Sequence, residues 1–232
     1  MTATKRNYQR ELDAVLASLP PFDGNAQRPT LLLHACCAPC SSYVIEYLAR
    51  HFAITLYYYN PNIHPQTEYE RRLGELARFV ARFPPATQGA VQLVTANYNA
   101  EEYFAATGVY AEPTLQTEAE RGERCRRCYR LRMTRAYAYA RANSFDWFTT
   151  TLSISPHKDA ASINAIGEVL QTSADAPGTK YLPADFKKRG GFLRSTQLSA
   201  EYGLWRQDYC GCVFSLRQRE AQHIHLPATT ER

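Results

Sequence analysis

A chain of 232 residues with 45% hydrophobic and 21% charged residues has the composition of an ordinary globular protein, long enough for one substantial domain. Its longest apolar runs, such as Ile54 to Tyr59, are far too short to cross a bilayer, and the amino terminus lacks the basic-then-apolar pattern of an export signal, so the expectation is a cytoplasmic protein with no membrane partner. A net charge of +5 is compatible with a nucleic-acid partner without requiring one, and most of the sixteen tyrosines are expected in core and surface packing.

Thr30 to His34 is a short apolar run ending at the first cysteines, and Ser41 to Arg50 then reads as a helix with Val44, Ile45 and Leu48 on one face. Ala53 to Tyr59 repeats the strand pattern and stops at Asn60-Pro61-Asn62. Thr67 to Phe83 has helical spacing through Tyr69, Leu73, Leu76 and Val80. Val91 to Val94 predicts a third strand, Glu118 to Ala142 a long arginine-rich helix, and Trp147 to Thr151 a fourth strand. Ser173 to Gly178 reads as a loop, and the chain ends, about residues 1–8 and 220–232, as loosely ordered. Alternating strands and helices predict a doubly wound, mainly parallel α/β sheet in a single domain spanning residues 1–232, with the cysteine-bearing helix as an insertion. In such sheets ligands bind beyond the carboxyl ends of the strands, where Cys36, Asn60 and Ser153 all fall.

All seven cysteines fall into Cys36-Cys37-x-x-Cys40, Cys125-x-x-Cys128 and Cys210-x-Cys212. In a chain of this size without an export signal, such clustering predicts metal ligands rather than disulfides. The pairs Cys37/Cys40 and Cys125/Cys128 supply four soft ligands, the set that a zinc site or a cubane iron–sulfur cluster requires. Cys36, Cys210 and Cys212 remain. Adjacent side chains diverge on a strand or a helix, so Cys36 and Cys37 are expected at different metals, and two neighbouring centres follow. The three-thiolate centre would keep an open position and be the reactive one. Ligand type alone does not separate zinc from iron.

Six ordered motifs resemble the epoxyqueuosine reductase family QueH, from about Leu31 to about Ser215: Leu33-His34-Ala35-Cys36-Cys37-Ala38-Pro39-Cys40; Tyr59-Asn60-Pro61-Asn62-Ile63 with Glu68 and Arg72; Arg124-Cys125-Arg126-Arg127-Cys128-Tyr129; Thr151-Leu152-Ser153-Ile154-Ser155-Pro156-His157-Lys158; Asp185-Phe186-Lys187-Lys188-Arg189-Gly190-Gly191; and Tyr202 through Cys212. The resemblance implies a fold like the adenine nucleotide alpha hydrolases and reduction of epoxyqueuosine to queuosine at the tRNA wobble position, the last step of queuosine biosynthesis. It also implies a 4Fe-4S cluster on Cys37, Cys40, Cys125 and Cys128, and an adjacent single iron on Cys36, Cys210 and Cys212. A non-catalytic zinc-bound RNA module is the competing expectation. So is an ATP-dependent tRNA thiolase, which the proline in Ala38-Pro39-Cys40 disfavours by removing an amide from the phosphate-cradling turn.

Opening an epoxide to an alkene consumes two electrons and two protons, so an external one-electron donor and a nearby acid are expected. Asp208, beside Cys210, is the first candidate acid, followed by His64 and Tyr129. Asn60, Asn62, Ser153 and Ser155 at strand ends are candidates for the modified base. Lys158, Lys187, Lys188 and Arg189 are candidates for phosphates, the last three in an expected flexible stretch between Phe186 and Gly190-Gly191 with Phe192 and Arg194, and Trp205 and Arg206 for stacking on anticodon bases.

Overall fold

The computed structural model of the protein describes residues 6–20, 28–173 and 178–224. Leu31, Leu32 and Leu33 are all fully buried, the pattern of a strand covered on both faces. They lie at the centre of a five-stranded parallel sheet. In it β1 (Thr30–His34) runs between β2 (Ala53–Tyr58) and β4 (Trp147–Thr150), with β3 (Gln92–Thr95) outside β2 and β5 (Lys180–Tyr181) outside β4. Because side chains alternate along a strand, Leu31 and Leu33 enter one core with Ile54, Leu56 and Tyr58, and Leu32 enters another with Tyr57 and Phe148. The first core packs against α1 (Tyr8–Ser18), α2 (Ala38–Leu48), α3 (Gln66–Arg82), α4 (Pro84–Gln88) and α9 (Gly191–Glu201). The second packs against α7 (Glu123–Ala142) and α8 (Ala160–Thr172). Helices α5 (Ala100–Thr107), α6 (Thr114–Thr117) and α10 (Val213–Ile224) gather at the end of α7 that carries its cysteines. The chain leaves β1 toward β2 and β3 on one side and later reaches β4 and β5 on the other. The point of reversal therefore lies between the carboxyl ends of β1 and β4.

The strands at 30–34, 53–58 and 147–150 fall where the apolar runs predict them. Three local expectations are corrected. The long helix begins at Glu123, not Glu118, because the Glu118 carboxylate accepts the backbone N–H groups of Glu123 at 2.7 Å and Arg124 at 2.8 Å, acting as a cap from outside the helix. The helix after β1 begins at Ala38 with Cys37 as its N-cap, so Cys40 belongs to its first turn. The basic stretch around Lys187 is not a flexible segment: Phe186 is fully buried, and α9 starts at Gly191. Of the segments expected to be loose, Tyr8 opens α1 and residues 220–224 belong to α10, whereas 1–5, 225–232 and the loop positions 174–177 lie outside the described residues. Among the described residues no helix is long and apolar enough to cross a membrane.

Candidate metal centre and substrate cavity

The His34 ring is fully buried and lies 2.8 Å from Thr150 Oγ1 and 3.1 Å from the Tyr59 carbonyl, which ties together the ends of β1, β2 and β4. Immediately beyond it the chain bends into α2 and carries the first thiols. Cys36 Sγ and Cys37 Sγ are 3.7 Å apart, and the sulfurs of Cys36, Cys37 and Cys40 all lie within 4.8 Å of one another. Divergence of neighbouring side chains applies inside a strand or a helix. Cys37 is neither: it is the extended N-cap residue at the bend between them, with φ −171°. Gln207 Nε2 donates to Cys37 Sγ at 3.0 Å, and Thr151 Oγ1 sits 3.7 Å from Cys36 Sγ.

Cys125 and Cys128 stand one turn apart in the first part of α7. With Cys210 and Cys212 they line a small pocket closed by Tyr103, Tyr129, Arg124 and Arg132. The sulfurs of Cys210 and Cys212 are 3.5 Å apart, and Cys210 Sγ lies 3.0 Å from Ser215 Oγ in α10. Gly211 between them has φ +115°, and a Cβ there would meet Ile63 Cγ1 at 3.0 Å and Arg72 Nη1 at 3.1 Å, so this link suits glycine. By proximity the thiols stand as a group of three and, lining one pocket, a group of four. All seven are free.

Charge is unevenly held. Hydrogen bonds from the thiols of Cys37 and Cys40 hold Cys36 well below its ordinary value, and burial pushes Cys37 up to about 12. In the second group the thiol of Cys210 donates to Cys212 and lowers it to about 6, while burial raises Cys128 to about 11. Between the groups stands Lys158. Burial works against its charge, but the facing sulfurs of Cys36, Cys210 and Cys40 outweigh that and leave its pKa raised. Arg72, Arg124 and Arg132 are buried around the thiols at 1–2% exposure, each with a guanidinium nitrogen that finds no hydrogen-bond partner. A buried cation without a full set of partners is costly unless anionic charge faces it. Thiolate ligands and surplus buried guanidinium groups together fit a bound, anionic metal–sulfur group.

Over both thiol groups opens a cavity of about 760 Å³, lined by Cys36, Cys40 and Cys210 on its floor and by residues of α9, α10 and the 155–158 loop. The size suits a nucleoside. Lys158, Ser155, Arg206 and Asp208, all expected at the site, line it. The Asp208 carboxylate is ion-paired with Arg219, and Arg206 lies over the Phe192 ring at 5.3 Å. Asn62 and Tyr129 line the small pocket, where burial and the neighbouring thiols raise the Tyr129 phenol and keep it neutral. Asn60 is buried, donating to the Ala35 carbonyl at 2.9 Å and accepting from Arg132 at 2.5 Å. Ser153 is buried too, with its hydroxyl accepting the Phe186 N–H at 3.4 Å.

His64, Trp205, Lys187, Lys188 and Arg189 line neither cavity. Trp205 is stacked under Arg71 at 3.7 Å, and Lys187 Nζ donates to Asp185 at 2.6 Å. Arg189 pairs with Asp13 at 2.5 Å, and Lys188 is exposed. Sequence reading overlooked Arg132, Glu120 and Gln207. Arg132 was open to detection, since it lies four residues after Cys128 and so on the same helix face.

A parallel doubly wound sheet that gathers seven free cysteines at its switch point, beneath a nucleoside-sized cavity, defines an α/β protein with a thiolate-rich candidate metal site. Residues 31–218 match the family model described as epoxyqueuosine reductase QueH. The chain is 40% identical to the epoxyqueuosine reductase QueH of Streptococcus pyogenes serotype M1 over 93% of its own length and 80% of that protein. To the proteins of the same name from Staphylococcus epidermidis and Thermotoga maritima it is 36% identical over 93% and 87%, and 32% identical over 85% and 95%, of the two chains. The chain belongs to the epoxyqueuosine reductase QueH family, a family of oxidoreductases.

Proposed function

We propose that this protein reduces epoxyqueuosine to queuosine at the wobble position of tRNA, taking electrons singly from an external donor. The observation that carries this reading is that thiols of both groups, Cys36 and Cys40 of one and Cys210 of the other, line one nucleoside-sized cavity. The seven cysteines would hold a 4Fe-4S cluster and an adjacent single iron, the group of four serving one centre and the group of three the other. Such a pair supplies single electrons and a Lewis-acidic position. The protein's own side chains do the rest. Arg132, fixed by Asn60, and Lys158 hold positive charge where the oxygen of the epoxide gains negative charge. Ser155 and Arg206 line the wall against which the base would lie, Arg206 offering a planar cation for stacking. Lys188, exposed beside the cavity-lining helix α9, is placed to meet phosphate.

Anaerobically prepared protein, analysed for metal and acid-labile sulfide and then incubated with epoxyqueuosine-containing tRNA and dithionite, tests the proposal. Nucleoside mass analysis should show queuosine. Zinc without labile sulfide, or no conversion by iron-replete protein, would reject it.

A further inference from the structure

The turn between α6 and α7 is fastened from several sides. Glu118 caps α7 through its carboxylate and accepts Gln218 Nε2 of α10 on its carbonyl at 3.0 Å. Arg121 reaches across to the carbonyls of Pro156 and of His157, the latter at 3.3 Å, and so binds the turn to the loop that carries Lys158. Arg121 does this with φ +74°. For a residue with a side chain that conformation is strained and persists where surrounding contacts enforce it.

What the fastened turn presents is Glu120. This half-buried residue lines both the small pocket, with Cys125, Tyr129 and Cys210, and the large cavity. The acids around it are committed elsewhere: Glu118 to the helix cap, Glu123 to Arg126 and Arg127, Asp208 to Arg219. Among the described residues Glu120 has neither an ion pair nor a hydrogen bond, and Glu120 and Asp208 are the carboxylates lining either cavity.

We propose that Glu120 is the acid that protonates the epoxide oxygen, an assignment that rests on the reductase reading above. In that reaction two carbon–oxygen bonds break and one carbon–carbon double bond forms. Two electrons arrive from the external one-electron donor, and the oxygen leaves as water with two protons. Glu120 delivers one of these to the oxygen and is reloaded from solvent through the open cavity, and solvent supplies the second.

Glu120→Gln and Glu120→Asp holoenzymes, compared with the unmutated protein, provide the test. The readouts are iron and sulfide content, tRNA affinity, and single-turnover conversion with dithionite. Glu120→Gln should keep metal and tRNA binding and slow conversion by about 100-fold or more, and Glu120→Asp should recover part of the rate. Conversion by Glu120→Gln within a few-fold of the unmutated rate would overturn the assignment while leaving the reductase reading intact. Loss of iron from Glu120→Gln would overturn it too, by making the residue a ligand. If the unmutated holoenzyme converts nothing, the reductase reading itself falls, and the assignment with it.

Discussion

Arg132 donates from Nη2 to the side-chain carbonyl of Asn60 at 2.5 Å, joining the cysteine-bearing helix α7 to the end of strand β2. Both partners are buried, at 2% and 1% exposure. A buried bond to a charged donor is worth about 1.5–3 kcal/mol, and Arg132→Gln should lower stability by about that amount. Urea unfolding at fixed metal content measures it. An unchanged midpoint would show that the helix is anchored by packing alone.

The spatial grouping of the thiols gives a second expectation. Cys125→Ser and Cys212→Ser should lose the same metal centre, because both side chains line the small pocket, and Cys40→Ser should lose the other. Anaerobic iron and sulfide analysis of the three variants, with cluster spectra, decides it. Matching losses in Cys125→Ser and Cys40→Ser would favour instead the division in which Cys37, Cys40, Cys125 and Cys128 share a cluster.

The central strands were legible because Leu31 to Leu33, Leu56 to Tyr58 and Phe148 to Thr150 are continuous buried runs. The two-residue β5 offers no such run, and its Tyr181 is placed by tertiary contacts, its hydroxyl meeting Asn164 at 3.1 Å. At the site, clustering identified the cysteines as a functional set, but spacing could not show that a strand-to-helix bend brings Cys36 beside Cys37. Glu120 was invisible for a similar reason. Its position depends on a left-handed Arg121 and on contacts 35 and 36 residues distant in the chain, none of which leaves a local pattern.

The basic run Lys187-Lys188-Arg189 should divide by residue. Lys187 folds inward onto Asp185 and the Ser153 carbonyl, and Arg189 is paired with Asp13, whereas Lys188 is exposed. Lys188→Ala should therefore weaken tRNA binding and reduce the slope of its salt dependence by about one, with stability unchanged. Lys187→Ala should cost up to about 1 kcal/mol of stability, because its ion pair is partly screened by solvent. Binding titrations at several salt concentrations, beside thermal unfolding, separate the two. Equal salt slopes for Lys188→Ala and the unmutated protein would make the run an ordinary solvated surface.

Gly211 tests how tightly the backbone specifies the group of four thiols. Its φ of +115° is unfavourable for any residue with a side chain, and the space beside it is closed: an added Cβ would lie 3.0 Å from Ile63 Cγ1 and 3.1 Å from Arg72 Nη1. Neither neighbour is free to retreat. Ile63 is buried at 1% exposure, and Arg72, equally buried, is fixed by its 2.6 Å ion pair with Glu68. Gly211→Ala should thus cost about 1–3 kcal/mol and turn the link that holds the Cys210 and Cys212 sulfurs 3.5 Å apart. Metal at the centre served by those two cysteines should fall, and metal held by Cys36, Cys37 and Cys40 should remain. Thermal unfolding with parallel metal analysis checks both halves. Full retention of both centres in Gly211→Ala would mean that the sulfurs are positioned by the metal and not by the backbone that carries them.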